Sequence, residues 1–372
     1  MKKFDAEKYL KKNPPVTLPL KYAFRVAAVI PAYNENKYIF SALDSLRRAA
    51  EKAGLRLLTI VVINHPPGAD PRESEELYAL SRKGQFPGDC EVIFLPGLSG
   101  GVGAARKAGM DAFISTIPPE EMEKAVICSL DADTVVEEDY FQSVLPEVLG
   151  GGAVSIPFSH QKAETPAQQN AIDAYEAYMT RYVQRLAEAG SPYAFYTIGS
   201  AFAVRCDACI RAGGMKVRQA GEDFYFLQAV AKTSGVRQLT GKALVHPSPR
   251  VSKRVPFGTG PAVASLLAGE KLNEIPDEAF EELKKLLELS KRDQWLKYGA
   301  VKLQDLTGCA GTFLAKEGFA AAWEKVCRNL PDSAEKRQKA FNEWFDGLKT
   351  LKFLHFFSDF DRNCIDKKQN KG

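Results

Sequence analysis

The sequence predicts an α/β fold built on a mixed, mostly parallel β-sheet with helices on its faces. From Phe24 onward, short apolar runs alternate with amphipathic helical patterns, which is typical of strands joined by crossover helices. After about residue 260 only helical patterns follow. We therefore expect a helical extension at the carboxyl end.

The first half of the chain gives four strands and three helices in alternation. Strands are predicted at 25–31, 56–64, 90–97 and 124–130, and helices at 37–54, 71–84 and 101–116. Pro31 is expected to end the first strand, because proline cannot donate a ladder hydrogen bond. Gly54 is expected to cap the first helix at its carboxyl end.

In the second half of the chain the regular alternation of strands and helices ends. The patterns predict a helix at 166–190, a strand leading into a short helix at 196–215, a helix at 221–235, a short β segment at 236–250, and further helices at 277–297 and 333–357. Proline followed by aspartate or serine marks the last two helix starts, near 276 and 331. We place domain boundaries after residues 23 and 260, with a helical region at 261–372.

Composition limits the class of protein. The 372 residues include 45% hydrophobic and 26% charged residues and carry a formal net charge of +4, ordinary values for a globular protein with no nucleic-acid partner. No apolar run approaches the roughly 20 residues of a membrane span, and the start lacks the apolar core of a secretory signal. Seven cysteines without framework spacing fit reduced thiols. We expect a cytoplasmic protein without a transmembrane segment.

Two carboxylates follow the fourth strand. The stretch SLDADT places Asp131 and Asp133 directly after the apolar run that ends at Leu130. Ligands of open α/β sheets bind at the carboxyl ends of the strands, and two carboxylates so close together favour a divalent cation with oxygen ligands, Mg²⁺ or Mn²⁺. A surface turn is the alternative for this pattern taken alone.

Five motifs occur together, namely AVIPAYNEN, GGVGAARKAG, SLDADT, GSAFAVRCDACIRAGGM and GEDFYF. In their order and approximate spacing the sequence resembles the family 2 glycosyltransferases over residues 24–260. The resemblance implies a GT-A fold, with a nucleotide-binding half at 24–135 and an acceptor half at 136–260. It also implies a nucleotide-sugar donor, a divalent metal and inversion at the anomeric carbon.

The resemblance assigns one set of residues to the donor. It comprises Pro31, Tyr33, Glu35, Asn64, Gly103, Arg106, Asp131 and Ala132. Tyr33 would stack on the base, although plain packing at the strand end stays open. The family commonly has an aspartate where Asn64 stands, so the choice between a UDP- and a GDP-sugar stays open. For Arg106 the alternative is an ordinary charge on a helix surface.

A second set is assigned to the metal, the acceptor and catalysis. Asp133 and His246 would bind the metal, and Asp223 would act as the catalytic base. Residues implied for the acceptor or the phosphates are Gly199, Ser200, Glu222, Arg250 and Arg254. Helix N-capping is the alternative for Asp223, a structural role for His246, and a solvated basic loop for the two arginines.

The predicted function is metal-dependent transfer of a single sugar to an acceptor hydroxyl by a hexosyltransferase-type enzyme. A single transfer is preferred because the sequence lacks the Gln-x-x-Arg-Trp motif of processive synthases. Sugar-phosphate nucleotidyltransfer and a non-catalytic nucleotide-sugar-binding role are the alternatives. The sequence leaves open the sugar, the acceptor, a homo-oligomeric state and the role of the helical region.

Overall fold

The structure is a computed structural model that describes residues 5–218, 220–251, 258–298 and 308–369. It forms two compact units. The sheet unit comprises Met1–Glu176 and Phe195–Lys271, and the helical unit comprises Ala177–Ala194 and Leu272–Gly372. The functional boundary proposed from the sequence at residue 260 stays a prediction.

The elements of the sheet unit follow the alternation seen in the sequence. They are α1 (Ala6–Lys12), β1 (Val26–Ala32), α2 (Ile39–Lys52), β2 (Leu57–His65), α3 (Arg72–Arg82), β3 (Asp89–Pro96), α4 (Gly101–Ser115), a 3₁₀ turn (Pro119–Glu121), β4 (Val126–Ser129), β5 (Val135–Val136), α5 (Tyr140–Gly151), β6 (Ala153–Ser155), α6 (Pro166–Glu188), β7 (Phe202–Arg205), α7 (Cys206–Arg211), α8 (Glu222–Thr233), β8 (Arg237–Gln238), β9 (Val245–His246) and α9 (Thr259–Leu267). Helix α6 contributes residues to both units.

Seven strands form one mixed sheet in the order β3-β2-β1-β4-β7-β6-β8. β1, β2, β3 and β4 are parallel to one another, and so are β6 and β8, whereas β7 runs antiparallel to both of its neighbours. β5 and β9 pair as a small separate ribbon. The predicted α/β fold class, with a mostly parallel sheet, flanking helices and a helical carboxyl region, is confirmed.

Close packing of α4 on the sheet depends on one glycine. A Cβ at Gly109 would lie 2.5 Å from Val29 Cγ1 and 3.0 Å from Val62 Cγ2. Both valines lie in fully buried strand segments, so neither can move aside cheaply. The absence of a side chain at Gly109 therefore lets α4 lie directly on β1 and β2.

Several details differ from the sequence prediction. β1 runs through Pro31, which pairs in register with Val62 of β2. This position lies beyond Val29, the last residue of β1 that pairs with β4, so the missing N–H breaks no bond to that strand. Helices α1 and α5 and strands β5 and β6 were not predicted, and α5 carries Pro146 in its interior.

The helical unit contains α10 (Asp277–Ser290), α11 (Asp293–Tyr298), α12 (Cys309–Lys316), α13 (Phe319–Arg328), α14 (Ala334–Trp344) and α15 (Gly347–Gln369). The two long helices predicted here are each split in two. Ser333 caps α14, as its side chain accepts a hydrogen bond from the backbone of Lys336. The core is aromatic, with Trp323, Phe341 and Phe353 fully buried. Within the described residues, no helix combines the length and the apolar character needed to cross a membrane.

Candidate functional site

Polar side chains gather at the carboxyl ends of the three central parallel strands. Glu35 follows β1 and is 5% exposed, Asn64 lies near the end of β2 and is 6% exposed, and Asp131 and Asp133 follow β4. Burial of these groups in an apolar sheet edge is costly unless they have partners. The edge is therefore built for polar contacts, as expected for a ligand site of an α/β sheet.

Arg250 joins two of these carboxylates. Its Nη2 donates to Glu35 Oε1 at 2.5 Å, and its Nε lies 2.7 Å from Asp133 Oδ2. The guanidinium carbon lies 4.6 Å from the centre of the Tyr38 ring, a cation–π distance. The segment after β9 therefore contacts residues at the ends of β1 and β4. These residues lie 215 and 117 positions earlier in the sequence.

Asp133 lies in an environment of excess negative charge. Burial, followed by the neighbouring Asp131, raises the pKa of Asp133 to about 6, although Arg250 opposes this rise. Its side chain is 14% exposed. A carboxylate in this state gains from an added cation, because a positive charge favours its ionised form.

These residues fit a divalent ion that also takes ligands from a bound molecule. In the part of the chain that the structure describes, no group of three or more His, Cys, Asp or Glu side chains is arranged to hold a metal ion. Ions such as Mg²⁺ are commonly held by one or two carboxylates together with substrate phosphates. Asp133 and Asp131 supply that kind of incomplete carboxylate set.

The predicted metal ligand His246 has other partners here. Its Nε2 lies 3.0 Å from Glu137 Oε1, and its Nδ1 lies 2.9 Å from the carbonyl oxygen of Ser159. Gln161 donates through Nε2 to the carbonyl oxygens of both Asp133 and His246, at 2.9 and 2.8 Å. The two predicted ligands therefore belong to neighbouring backbone segments, and the metal role of His246 stays a prediction.

Arg106 is a buried arginine that contacts several parts of the sheet unit. We call this arginine, with Asp131 and Glu222, the Arg106 junction. Its side chain is 3% exposed, and it forms ion pairs with Asp131 and with Glu222, the latter at 3.3 Å from Nε to Oε1. Nη1 also donates to Ser129 Oγ at 2.7 Å. The alternative of a helix-surface charge is excluded by this burial. Arg106 joins α4, the end of β4 and the start of α8.

Asp223 lies at the second position of α8. The N-cap of this helix is Gly221, in the left-handed region at φ +70°, so Asp223 is not the N-cap. Its Oδ1 accepts a hydrogen bond from the backbone of Phe224 at 2.7 Å. Burial and the adjacent Glu222 raise the pKa of Asp223 to about 7, while Arg106 and the Phe224 N–H oppose the rise. This is the range in which a carboxylate serves as a general base near neutral pH.

At two glycines of the predicted site, neighbouring atoms lie so close to the backbone that no side chain would fit. A Cβ at Gly103 would lie 2.8 Å from the carbonyl oxygen of Arg218, and a Cβ at Gly199 would lie 2.5 Å from Arg106 Nη2. The Gly199 carbonyl oxygen also accepts from Ser129 Oγ at 2.7 Å. Both glycines thus allow backbone to pack against the Arg106 junction.

The remaining predicted residues have mixed environments. Pro31, Ala132 and Ser200 are buried, whereas Tyr33 is partly exposed beyond the end of β1. Arg254 lies outside the described residues. Ser129, Gln161 and Tyr38 contact site residues but were not predicted. Of these three, only Ser129 offered a sequence signal, because it ends the strand before the Asp-x-Asp pair.

The mixed sheet and its acidic edge define an α/β domain with a ligand site at the carboxyl ends of its strands. A family model described as "Glycosyl transferase family 2" matches residues 27–211, a segment that includes β1, α4, β4 and β7. The chain belongs to this family. A search of the curated proteins finds no match.

Solved structures give weaker similarities. TarS of S. aureus (residues 1–349), in complex with UDP-GlcNAc, is 13% identical with a TM-score of 0.44, over 84% of this chain and 89% of that one. The mannosyltransferase PcManGT of Pyrobaculum calidifontis, in complex with GDP-Man and Mn²⁺, is 14% identical with a TM-score of 0.39, over 91% and 92%. The glucosyl-3-phosphoglycerate synthase of Mycobacterium tuberculosis, with Mn²⁺, UDP and phosphoglyceric acid, is 12% identical with a TM-score of 0.39, over 73% and 86%. At TM-scores below 0.5 these similarities are too weak to assign a donor or a metal.

Proposed function

We propose that this protein is a divalent-metal-dependent glycosyltransferase that moves one sugar from a UDP- or GDP-sugar to an acceptor hydroxyl, with inversion at the anomeric carbon. Membership of the family supports the reaction class. The observation that carries the proposal is the Arg106 junction. One buried guanidinium holds Asp131 on the donor side and Glu222, next to Asp223, on the acceptor side.

The donor's nucleotide would lie along the ends of β1 and β2. Glu35 and Asn64 are the buried polar groups there, and Tyr33 offers a partly exposed ring. An amide such as Asn64 can both donate to and accept from a base edge. Asp131, held by Arg106, would accept hydrogen bonds from the ribose.

Asp133, with His246 if it leaves Glu137, would hold Mn²⁺ or Mg²⁺. When bound, the ion supplies charge neutralisation for the departing diphosphate. Arg250 is a second positive group beside Asp133, and a guanidinium binds phosphate oxygens through paired N–H donors. We assign Arg250, with Arg254, to the phosphates.

Asp223 would take the proton from the acceptor hydroxyl. As that proton leaves, the acceptor oxygen forms a bond to the anomeric carbon and the bond from that carbon to the diphosphate oxygen breaks. The electron pair of the broken bond goes to the diphosphate. The raised pKa of Asp223 matches this role, because a base with a pKa near the working pH is still largely ionised and holds a proton well.

A donor screen tests the proposal. Thermal melting is followed with UDP- and GDP-sugars, each with and without Mn²⁺, and any stabilising donor is then offered to simple acceptors. A rise in melting temperature that requires both the donor and Mn²⁺, followed by glycoside formation, is the expected result. Release of pyrophosphate from a nucleoside triphosphate and a sugar phosphate would instead identify a nucleotidyltransferase, and binding without any transfer would identify a non-catalytic protein.

A further inference from the structure

The amino-terminal helix α1 is anchored by a polar cluster that is partly buried. Tyr9 is 7% exposed, and its hydroxyl donates to Asp111 Oδ1 of α4 at 2.5 Å. Lys107 Nζ lies 2.5 Å from Asp111 Oδ2 and 2.8 Å from Asn13 Oδ1. Asn13 in turn donates to the carbonyl oxygen of Tyr9. Because each polar group in the cluster has a partner, α1 has one defined position on α4.

The hydroxyl of Tyr9 also lies against the segment that follows α7. A Cβ at Gly214 would overlap the Tyr9 hydroxyl, and Gly214 has φ +70°. Both facts require glycine at this position. The chain at Gly214 is thus held on one side by its hydrogen bond to the Cys209 carbonyl and on the other by Tyr9.

Residues 217 and 218 of this segment lie against the start of α4, which also contacts the first residue of α8. A Cβ at Gly100 would overlap Val217, and a Cβ at Gly103 would lie 2.8 Å from the carbonyl oxygen of Arg218 and 3.1 Å from Glu222 Cβ. Residues 216–218 are exposed on their other side, but their contacts with Gly100 and Gly103 leave no space even for a methyl group. Contacts this close pass on small displacements, because neither side has room to move. A shift at Gly214 would therefore reach Glu222 and its neighbour Asp223.

We propose that Tyr9 is a positioning residue for the transfer reaction: it clamps Gly214, and through residues 214–218 it fixes Asp223 relative to Asp131. This inference rests on the proposed function of Asp223 as the base. Tyr9 itself touches no reacting atom in this account. It acts on the rate of the chemical step, since misplacing a base by even a fraction of an ångström lowers the rate.

The test compares two tyrosine-to-phenylalanine variants in the full-length protein. Tyr9→Phe removes the hydroxyl from the clamp. Tyr193→Phe is the matched control, because Tyr193 is also 7% exposed and its hydroxyl donates to the carbonyl oxygen of Asn342 within the helical unit. Both variants lose a buried hydroxyl, and both should lower the melting temperature by a similar few degrees.

Two readouts separate positioning from general destabilisation. We expect kcat to fall roughly tenfold in Tyr9→Phe with the donor KM within about twofold of wild type, and both to stay near wild type in Tyr193→Phe. Amide exchange at Gly214, whose N–H donates to the Cys209 carbonyl oxygen, should become faster only in Tyr9→Phe. Tyr9→Leu, which also removes the ring, should enlarge both effects.

Equal kcat values for the two phenylalanine variants, or unchanged exchange at Gly214 in Tyr9→Phe, would overturn the positioning role of Tyr9. A wild-type protein that transfers no sugar would instead overturn the proposed function. In that case the exchange measurement still decides whether Tyr9 holds the segment.

Discussion

Arg106→Met removes the guanidinium that joins the two sides of the site and keeps a side chain of similar length. Glu222, whose side chain is 6% exposed, would then be a buried carboxylate without this cation. Breaking a buried pair by removing one partner costs about 3–5 kcal/mol, so we expect a loss of that size in the free energy of unfolding of the sheet unit. Asp131 adds little to this figure, because its side chain is 39% exposed and water screens its charge.

The assay must follow the sheet unit. All three tryptophans, Trp295, Trp323 and Trp344, lie in the helical unit, so their fluorescence reports the other part of the chain. Urea denaturation followed by amide exchange in β1 and β4 reports the sheet directly.

Two further variants make the test specific. Adding Glu222→Gln to Arg106→Met should recover roughly 2 kcal/mol, because the uncompensated charge is removed. Arg47→Met is the control. Arg47 pairs with Asp44 and Glu51 on the exposed face of α2, so the change in the free energy of unfolding should be within experimental error. If Arg106→Met is no more damaging than Arg47→Met, or if Glu222→Gln brings no recovery, the buried junction is refuted.

Two other predictions concern the carboxylates. The pKa of Asp223 is raised to about 7, so if Asp223 is the proposed base, kcat should fall about tenfold per pH unit below that value. The same raised pKa means that Asp223 favours folding at low pH and that this contribution is lost as pH rises from 3.8 towards 7. A flat kcat profile between pH 5 and 8 would contradict the role. Asp133→Asn should abolish the Mn²⁺-dependent rise in melting temperature given by the donor while leaving the metal-free melting temperature nearly unchanged; an intact Mn²⁺ effect would show that Asp133 is not the ligand.

The sequence was sufficient for the alternating strands and helices of residues 25–116 and for most later elements of the sheet unit. Strands such as β2 are continuous apolar runs, and helices such as α2 end at glycines like Gly54, which adopts φ +59°. These signals are local in the chain. Helix α5 was not predicted because Pro146 lies within it. The predicted end of β1 at Pro31 was too early, because β4 pairs only with residues 26–29 of β1. That pairing involves a strand about 100 residues away, and no local pattern shows it.

The candidate site was harder to predict, because its contacts span the chain. Asp131 and Asp133 could be placed at the sheet edge from the strand before them. The burial of Arg106, by contrast, depends on Glu222, which lies 116 residues away, and the contact of Arg250 with Glu35 spans 215 residues. No local pattern separates a buried arginine of this kind from one on a helix surface.

Asp223 is proposed to carry the chemistry, and the donor is proposed to bind at the ends of β1, β2 and β4. The most direct test measures donor binding and sugar transfer on the same sample of Asp223→Asn, since asparagine retains the oxygen that accepts the Phe224 N–H. We predict that donor affinity stays within about twofold of wild type while kcat falls at least about a hundredfold. Transfer at the wild-type rate would contradict the account, as would a loss of donor binding as large as the loss of rate.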